Sequence, residues 1–469
     1  MSLIRSISGI RATLGSALLP EMITRHISAF AQGQPPGTIV VGRDGRPSGV
    51  WIEHIVAGTL SAMGRNVRLL GVVPTPTVQL HAEMDGIAGG ISITASHNPA
   101  EWNGLKFLKD DGTFLTAEDN ARLFACADAG SFSFIAEQQG GEIEPVSSAI
   151  DMHIGNIVAL PLFQSEEFQL LSLIRQRGLK VVVDAVNCSG SVAVPQLLRT
   201  LGCTVIEIHC SGNGVFPHVA EPLPEHLGDL CAAVRTHDAD MGIAVDPDAD
   251  RLVLIDNHGH AVWEEYTIAL ATLSACTFAS VMGDSYSRHA IVNLSTTRAV
   301  EDIAKDFGVV VKRSAVGEIN VVQAIQRYDA LIGGEGSGGV IVPASHAGRD
   351  AMVGVALILA LRAYRNISLA ELVASLPQYV MSKQKIAFTG DVQNILDAIA
   401  QHFPTAHHDT TDGLRISFEA ERTWVHLRAS NTEPIMRVIS EAPTKEQADA
   451  IAAECMSIVR TLLVSDKHS

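Results

Sequence analysis

The sequence predicts an α/β protein: three repeated α/β domains with mixed, mostly parallel sheets, then a smaller α+β domain at the carboxyl end. Three observations predict it. The 469 residues are 47% hydrophobic and 18% charged, which is apolar material for several cores and about three or four domains. Short β-branched strands bounded by Gly, Asp or Asn alternate with helical stretches, and the order strand–helix–strand–helix–strand occurs three times. Near residue 373 that alternation stops.

The first unit reads TIVVGRD (38–44), NVRLLGVVPTPT (66–77) and GGISITASHNP (89–99). The second reads KVVVDAVNCSG (180–190), CTVIEIHCSGN (203–213) and MGIAVDPDADR (241–251). The third reads HAIVNLSTT (289–297), GVVVKRSAVGE (308–318) and DALIGGEGSGG (329–339). Strand–helix alternation builds largely parallel sheets, whose sites gather at the carboxyl ends of strands. There the third strand of each unit runs into a peculiar loop: TASHNP, DPDADR or GEGSGG. The apolar run Met352 to Leu361 is a core helix with Asp350 near its start. Farther on, RTWVHLRASNTEPIMRV (422–438) reads strand, loop, strand, followed by a helix from Lys445 to about Leu463. The domains are accordingly 1–148, 149–257, 258–372 and 373–469.

Net charge is −17, which excludes a general nucleic-acid surface and requires locally gathered arginines if the substrate is a phosphate ester. Seven scattered cysteines without a C-x-x-C pair read as reduced thiols of a cytoplasmic protein. Arg5, Gly9 and Arg11 interrupt the start of the chain, so no secretory h-region is expected, and no apolar run is long enough for a membrane span.

The loops carry the chemistry. Asp246, Asp248 and Asp250 alternate in a tight turn after a strand, where three carboxylates can converge on a hard cation such as Mg²⁺. The bland alternative is a solvated acidic turn. An EF-hand fails, since its sixth and twelfth positions would be Arg251 and Asn257. A loop with Asp246 as an aspartyl nucleophile stays open. GEGSGG matches G-x-G-x-x-G, but a strand-like VIVPA follows instead of a helix, and no G-K-[ST] is present. Glu335 and Ser337 there offer partners to sugar hydroxyls; the alternative is a glycine hairpin. Arg428, Ser430, Asn431, Thr432 and Arg437 make a cradle for a phosphate dianion, although Ser430 and Glu433 also match a capping box. Ser96 lacks a G-x-S-x-G elbow. Among loops suited to a cation, a phosphate and a polyol, it is best used as a phosphoryl carrier.

TASHNP, DPDADR, GEGSGG and RASNTEP, in this order, resemble the α-D-phosphohexomutase family across essentially the whole chain, including GIRATLG (9–15) and GRDGR (42–46). The resemblance implies four domains around a central cleft, with Ser96 phosphorylated in the active enzyme. It implies Mg²⁺ held by Asp246, Asp248, Asp250 and the phosphoserine, with Arg251 near the reacting phosphate. Glu335 and Ser337 would grip the sugar, and the Arg428–Arg437 loop its non-reacting phosphate. Arg11, His97 and Lys106 match positions near the phosphoserine, with Lys106 or His97 as a proton-transfer group. The implied reaction interconverts hexose or hexosamine 1- and 6-phosphates through a hexose 1,6-bisphosphate, in a monomer or homodimer whose partners are small sugar phosphates. Many bacterial members end the sugar loop with His where this chain has Gly339, so an acid/base role assigned to that His does not carry over. GEGSGG, SAVGEINV and RASNTEP look closest to the phosphoglucosamine mutase branch. Phosphomannomutase or phosphoglucomutase specificity, an aspartyl-phosphate phosphatase and a non-catalytic sugar-phosphate binder are the alternatives.

Overall fold

The computed structural model describes residues 3–136, 140–281, 287–388, 391–429 and 435–465. The repeat seen in the sequence is a repeat of topology. In the first unit, strand Thr38–Arg43 lies between Val67–Val72 and Ile87–Ile93, parallel to both, and Ile87–Ile93 pairs antiparallel with Trp102–Leu108. Lys180–Asp184 sits in the same way between Thr204–Ile208 and Met241–Val245, with Leu252–Ile255 antiparallel at the edge. His289–Asn293 sits between Val310–Ser314 and Ile332–Glu335, with Gly339–Ile341 antiparallel. Each peculiar loop therefore joins the third strand of its unit to an antiparallel return strand. The first sheet is widened to seven strands by Ile4–Ser6, Gly9–Thr13 and Ile143–Pro145.

The fourth sheet is five-stranded and wholly antiparallel, with helices Val392–His402 and Lys445–Ser465. Its period-2 strands put one face on an apolar core of Ile416, Val425, Leu427, Met436 and Val438.

The second and third sheets share one continuous core that reaches from Ile154 to Tyr379. Helix Ala351–Arg365, the core helix of the sequence, runs through it. Its sequence AMVGVALILALRAYR is apolar on every side, and Ala351 through Ala363 are buried all round. Asp350 caps it, its Oδ1 accepting from Met352 N at 2.8 Å, and Asn366 in the left-handed region ends it. That rigid helix holds Arg349, immediately before it, in place. No helix among the described residues is long and apolar enough to cross a membrane.

Candidate active site

Ser96 follows the strand Ile87–Ile93 in a left-handed conformation (φ 50°) and is 3% exposed. Its loop is held from outside. Arg46, paired with Asp44, donates to the carbonyl oxygens of Ser96 (2.8 Å) and Asn98 (2.5 Å). Thr94 Oγ1 donates to Asp44 and accepts from Ser96 N. GRDGR is thus the brace of the serine loop, a role its sequence alone did not disclose.

The second unit brings its acidic loop to the same place. Ser96 Oγ donates to Asp246 Oδ2 at 3.1 Å, across 150 residues of chain. Asp246, Asp248 and Asp250 are all buried, each offering an oxygen within 4.8 Å of the others. Ala249, left-handed at φ 51°, turns the loop, and the amides of Asp250 and Arg251 donate to Asp246 Oδ1. Thr75 docks it on the first sheet, donating to Asp248 through both its amide (2.9 Å) and its hydroxyl (2.7 Å). Asp248 Oδ1 and Asp250 Oδ1 are buried with no hydrogen-bond partner among the described residues. Two orphaned carboxylate oxygens beside a third carboxylate fit a hard divalent cation, since without one they carry a desolvation cost.

Charges around the trio separate its members. Burial, with the charges of Asp250 and Asp248, pushes the Asp246 carboxyl far up. Burial acts the same way on Asp250, but Arg349, Lys106 and Arg251 outweigh it and hold that group well down. Lys106 Nζ donates to Asp248 (2.6 Å) and Asp250 (3.2 Å); burial lowers its proton affinity, the two carboxylates more than restore it, and it stays an ammonium. Burial, reinforced by Arg251 and Arg11, pushes the His97 imidazole down to about 2, so it is neutral. Its Nδ1 lies 3.5 Å from Ser96 Oγ. Arg11 donates to Asn98, and Arg251 reaches Glu221 at 3.6 Å.

A cleft of about 530 Å³ joins these groups to the other loops. Ser96, His97, Lys106, Arg11 and Arg251 line it, with Glu335 and Ser337 from the third unit and Arg428 and Arg437 from the fourth. Arg428 and Arg437 face each other across paired strands. Arg428 has a 3.5 Å contact with Asp412, and Arg437 has no ion pair among the described residues. Two adjacent guanidinium groups on a cleft wall are an anion cradle. Ser430, Asn431 and Thr432 lie outside the described residues.

Sequence reasoning missed Arg349, which binds three loops at once. Its guanidinium donates to Asp250 (2.7 Å), Glu335 (2.8 Å) and Glu318 (3.1 Å). Asn293 and the amide of Gly317 complete the hold on Glu335. A β-carbon at Gly339 would fall 2.4 Å from Arg349 Cδ. The arginine stem therefore occupies the space beside the GEGSGG loop where a side chain at 339 would begin. The signal was present in GRDAMV (348–353), a charged pair directly before an all-apolar helix, but nothing local says which way Arg349 points.

Glu265 lies against the GEGSGG loop, where a β-carbon on Gly336 would fall 1.8 Å from its carboxylate, so a larger residue there requires the Glu265 side chain to move. Burial, opposed by Lys383 and aided by Glu264, pushes the Glu265 carboxyl up to about 8. The folded chain then holds a proton that the unfolded chain releases near its ordinary value of 4.5, so this group's contribution to stability falls as pH rises from about 5 to about 8. Thermal melts should show Glu265→Gln gaining on wild type steadily across that window. A difference in Tm that stays flat with pH contradicts the assignment.

Comparison with known proteins accords with this architecture. Family models described as phosphoglucomutase/phosphomannomutase α/β/α domains I, II and III match residues 3–133, 163–259 and 269–379, and the C-terminal domain model matches 382–458. A "Probable phosphoglucosamine mutase" of Methanopyrus kandleri is 31% identical over 457 residues, 97% of each chain. A phosphoglucomutase/phosphomannomutase of Thermococcus kodakarensis is 34% identical over 454 residues, 94% of each. The crystal structure of a phosphoglucomutase/phosphomannomutase family protein from Burkholderia thailandensis superposes with a TM-score of 0.82 at 26% identity, covering 99% of this chain and 98% of that one. This chain belongs to the α-D-phosphohexomutase family and is an intramolecular phosphotransferase.

Proposed function

We propose that the cleft interconverts hexosamine 1-phosphate and 6-phosphate, glucosamine phosphate foremost, with Ser96 as the phosphoryl carrier. The observation that carries this is Ser96 Oγ at 3.1 Å from Asp246, in a cleft whose far wall bears Arg428 and Arg437. Phospho-Ser96 passes its phosphoryl group to the free hydroxyl of a sugar monophosphate: the Oγ–P bond breaks, a P–O bond to the sugar forms, and the hydroxyl proton leaves. The resulting 1,6-bisphosphate turns over and returns its other phosphoryl group to Ser96.

Asp246, Asp248 and Asp250 would hold Mg²⁺, the orphaned oxygens of Asp248 and Asp250 supporting that reading. Bound there, the ion supplies positive charge next to the transferring phosphoryl group. Arg251 and Lys106 neutralise charge beside it. His97, neutral before phosphate arrives, accepts the hydroxyl proton more readily once a dianion lies against it. Lys106, held as an ammonium by two carboxylates, is the weaker base. Arg428 and Arg437 grip the idle phosphate, while Glu335 and Ser337 orient sugar hydroxyls.

Glucosamine is favoured because Glu221 reaches the cleft with only a loose contact to Arg251, leaving a carboxylate for an ammonium at C2. The name of the Methanopyrus relative points the same way. Comparison of kcat/KM across glucose, mannose, glucosamine and N-acetylglucosamine 1-phosphates tests this; a preference for glucose or mannose overturns the sugar but not the reaction. EDTA should abolish activity and Mg²⁺ restore it. Full activity after exhaustive chelation removes the metal role of the trio.

A further inference from the structure

A second group of donors lies at the carboxyl end of the second sheet, on residues that do not line the cleft. Asp184 ends strand Lys180–Asp184, His209 follows the neighbouring strand Thr204–Ile208, and His218 lies on the loop beyond. One donor atom of each falls within 4.8 Å of the others.

The outer atoms decide what the inner ones offer. His218 Nδ1 donates to Val219 O at 2.8 Å, and its Nε2 donates to Asp184 Oδ2 at 3.0 Å, a proton that a bound cation would displace. His209 Nε2 lies 3.4 Å from Asp229 Oδ2, which draws the proton to that side and leaves Nδ1 bare. Asp184 Oδ1 is taken by the amide of Val186 at 2.9 Å, leaving Oδ2. That Oδ2 faces His218 Nε2 at 3.0 Å and His209 Nδ1 at 3.8 Å. His209 Nδ1 is buried with no hydrogen-bond partner among the described residues. Asp184 Oδ2, His209 Nδ1 and His218 Nε2 thus converge on one point, and each ring is backed by an acceptor on its far side.

The backbone is strained to build this arrangement. Val186, Asn187 and His209 all have φ between 45° and 55°, and Val186 is β-branched, for which the left-handed region is a genuine outlier. Asn187 N donates to His209 O at 2.6 Å, tying the two turns together. Two imidazoles and one carboxylate suit a borderline ion better than Mg²⁺, which prefers oxygen alone.

We propose that Asp184, His209 and His218 form a second metal site, for a divalent ion of the zinc class, distinct from the aspartate trio. The loop it would brace, between His209 and His218, carries Phe216, whose ring lies 4.9 Å from the Arg46 guanidinium. Arg46 in turn holds the carbonyls of Ser96 and Asn98. A bound ion stiffens the support of the serine loop without touching substrate.

The test uses the whole protein in excess Mg²⁺, so that the trio is filled. Equilibrium dialysis against Zn²⁺ should give one ion per chain, and X-ray absorption of that species should show two nitrogen ligands at about 2.0–2.1 Å. His209→Gln and His218→Gln should each weaken zinc uptake at least about tenfold, while Asp248→Asn leaves it unchanged. Zinc should also raise the wild-type Tm, a reading that needs no variant. No zinc uptake in Mg²⁺ means an ion-paired cluster only and overturns the proposal. So does an all-oxygen shell, or uptake lost in Asp248→Asn but not in the histidine variants, either of which places the ion at the trio.

Discussion

Ser96→Ala is expected to lose more than about a thousandfold in kcat while binding sugar phosphate within severalfold of wild type. The asymmetry follows from how the loop is built. Arg46 holds it through the backbone carbonyls of Ser96 and Asn98, and Thr94 Oγ1 accepts from the backbone amide, so none of these bonds uses the serine hydroxyl. The hydroxyl's own partner is Asp246. Removing it deletes the acceptor of the phosphoryl group and leaves Arg428, Arg437 and the sugar loop in place. A coupled assay, calorimetric binding and intact-mass localisation of phosphate measure the three quantities. Activity within tenfold of wild type, or a phosphate found on Asp246 instead, would end the carrier role.

Arg349→Met is the second large effect, and it acts on both stability and rate. The arginine is the shared partner of Asp250, Glu318 and Glu335, all buried. Removing one cation from such a cluster leaves buried charge uncompensated, a loss of about 3–5 kcal/mol. It also frees Asp250 and Glu335 to move apart, so Mg²⁺ affinity and sugar affinity should fall together, and kcat by roughly a hundredfold or more. Arg349→Lys should rescue poorly, because a point ammonium cannot span three carboxylates that a planar fork spans. Gly339→His, which would install the residue many bacterial members carry, should damage rather than improve the enzyme, since its β-carbon meets the arginine stem. Wild-type kcat and Mg²⁺ dependence in Arg349→Lys would show that the fork geometry is unimportant.

Much of the fold was legible because its information is local. Strand, turn and helix are encoded within ten or so residues, so TIVVGRD, KVVVDAV and HAIVNLS read as equivalent strands, and they occupy equivalent central places in three sheets. The donor types of each loop were equally readable: Asp246, Asp248 and Asp250 converge as alternation in a tight turn requires. The antiparallel return strand of the first two units was not read separately, since a four-residue apolar run such as LVLI (252–255) carries no direction of its own. Resemblance, rather than periodicity, supplied the roles of Arg11 and Lys106.

By itself, then, the sequence determined the repeated architecture and the chemistry each loop can offer, because propensity, turn geometry and donor sets are properties of short stretches. Only the tertiary structure decided that Arg349 reaches Asp250 across 99 residues of chain, that GRDGR braces the serine loop, and that two histidines and Asp184 meet outside the cleft. Such meetings depend on which sheet edges and helix ends pack together. That is set by the sum of many weak apolar contacts over the whole chain, and no single segment contains it.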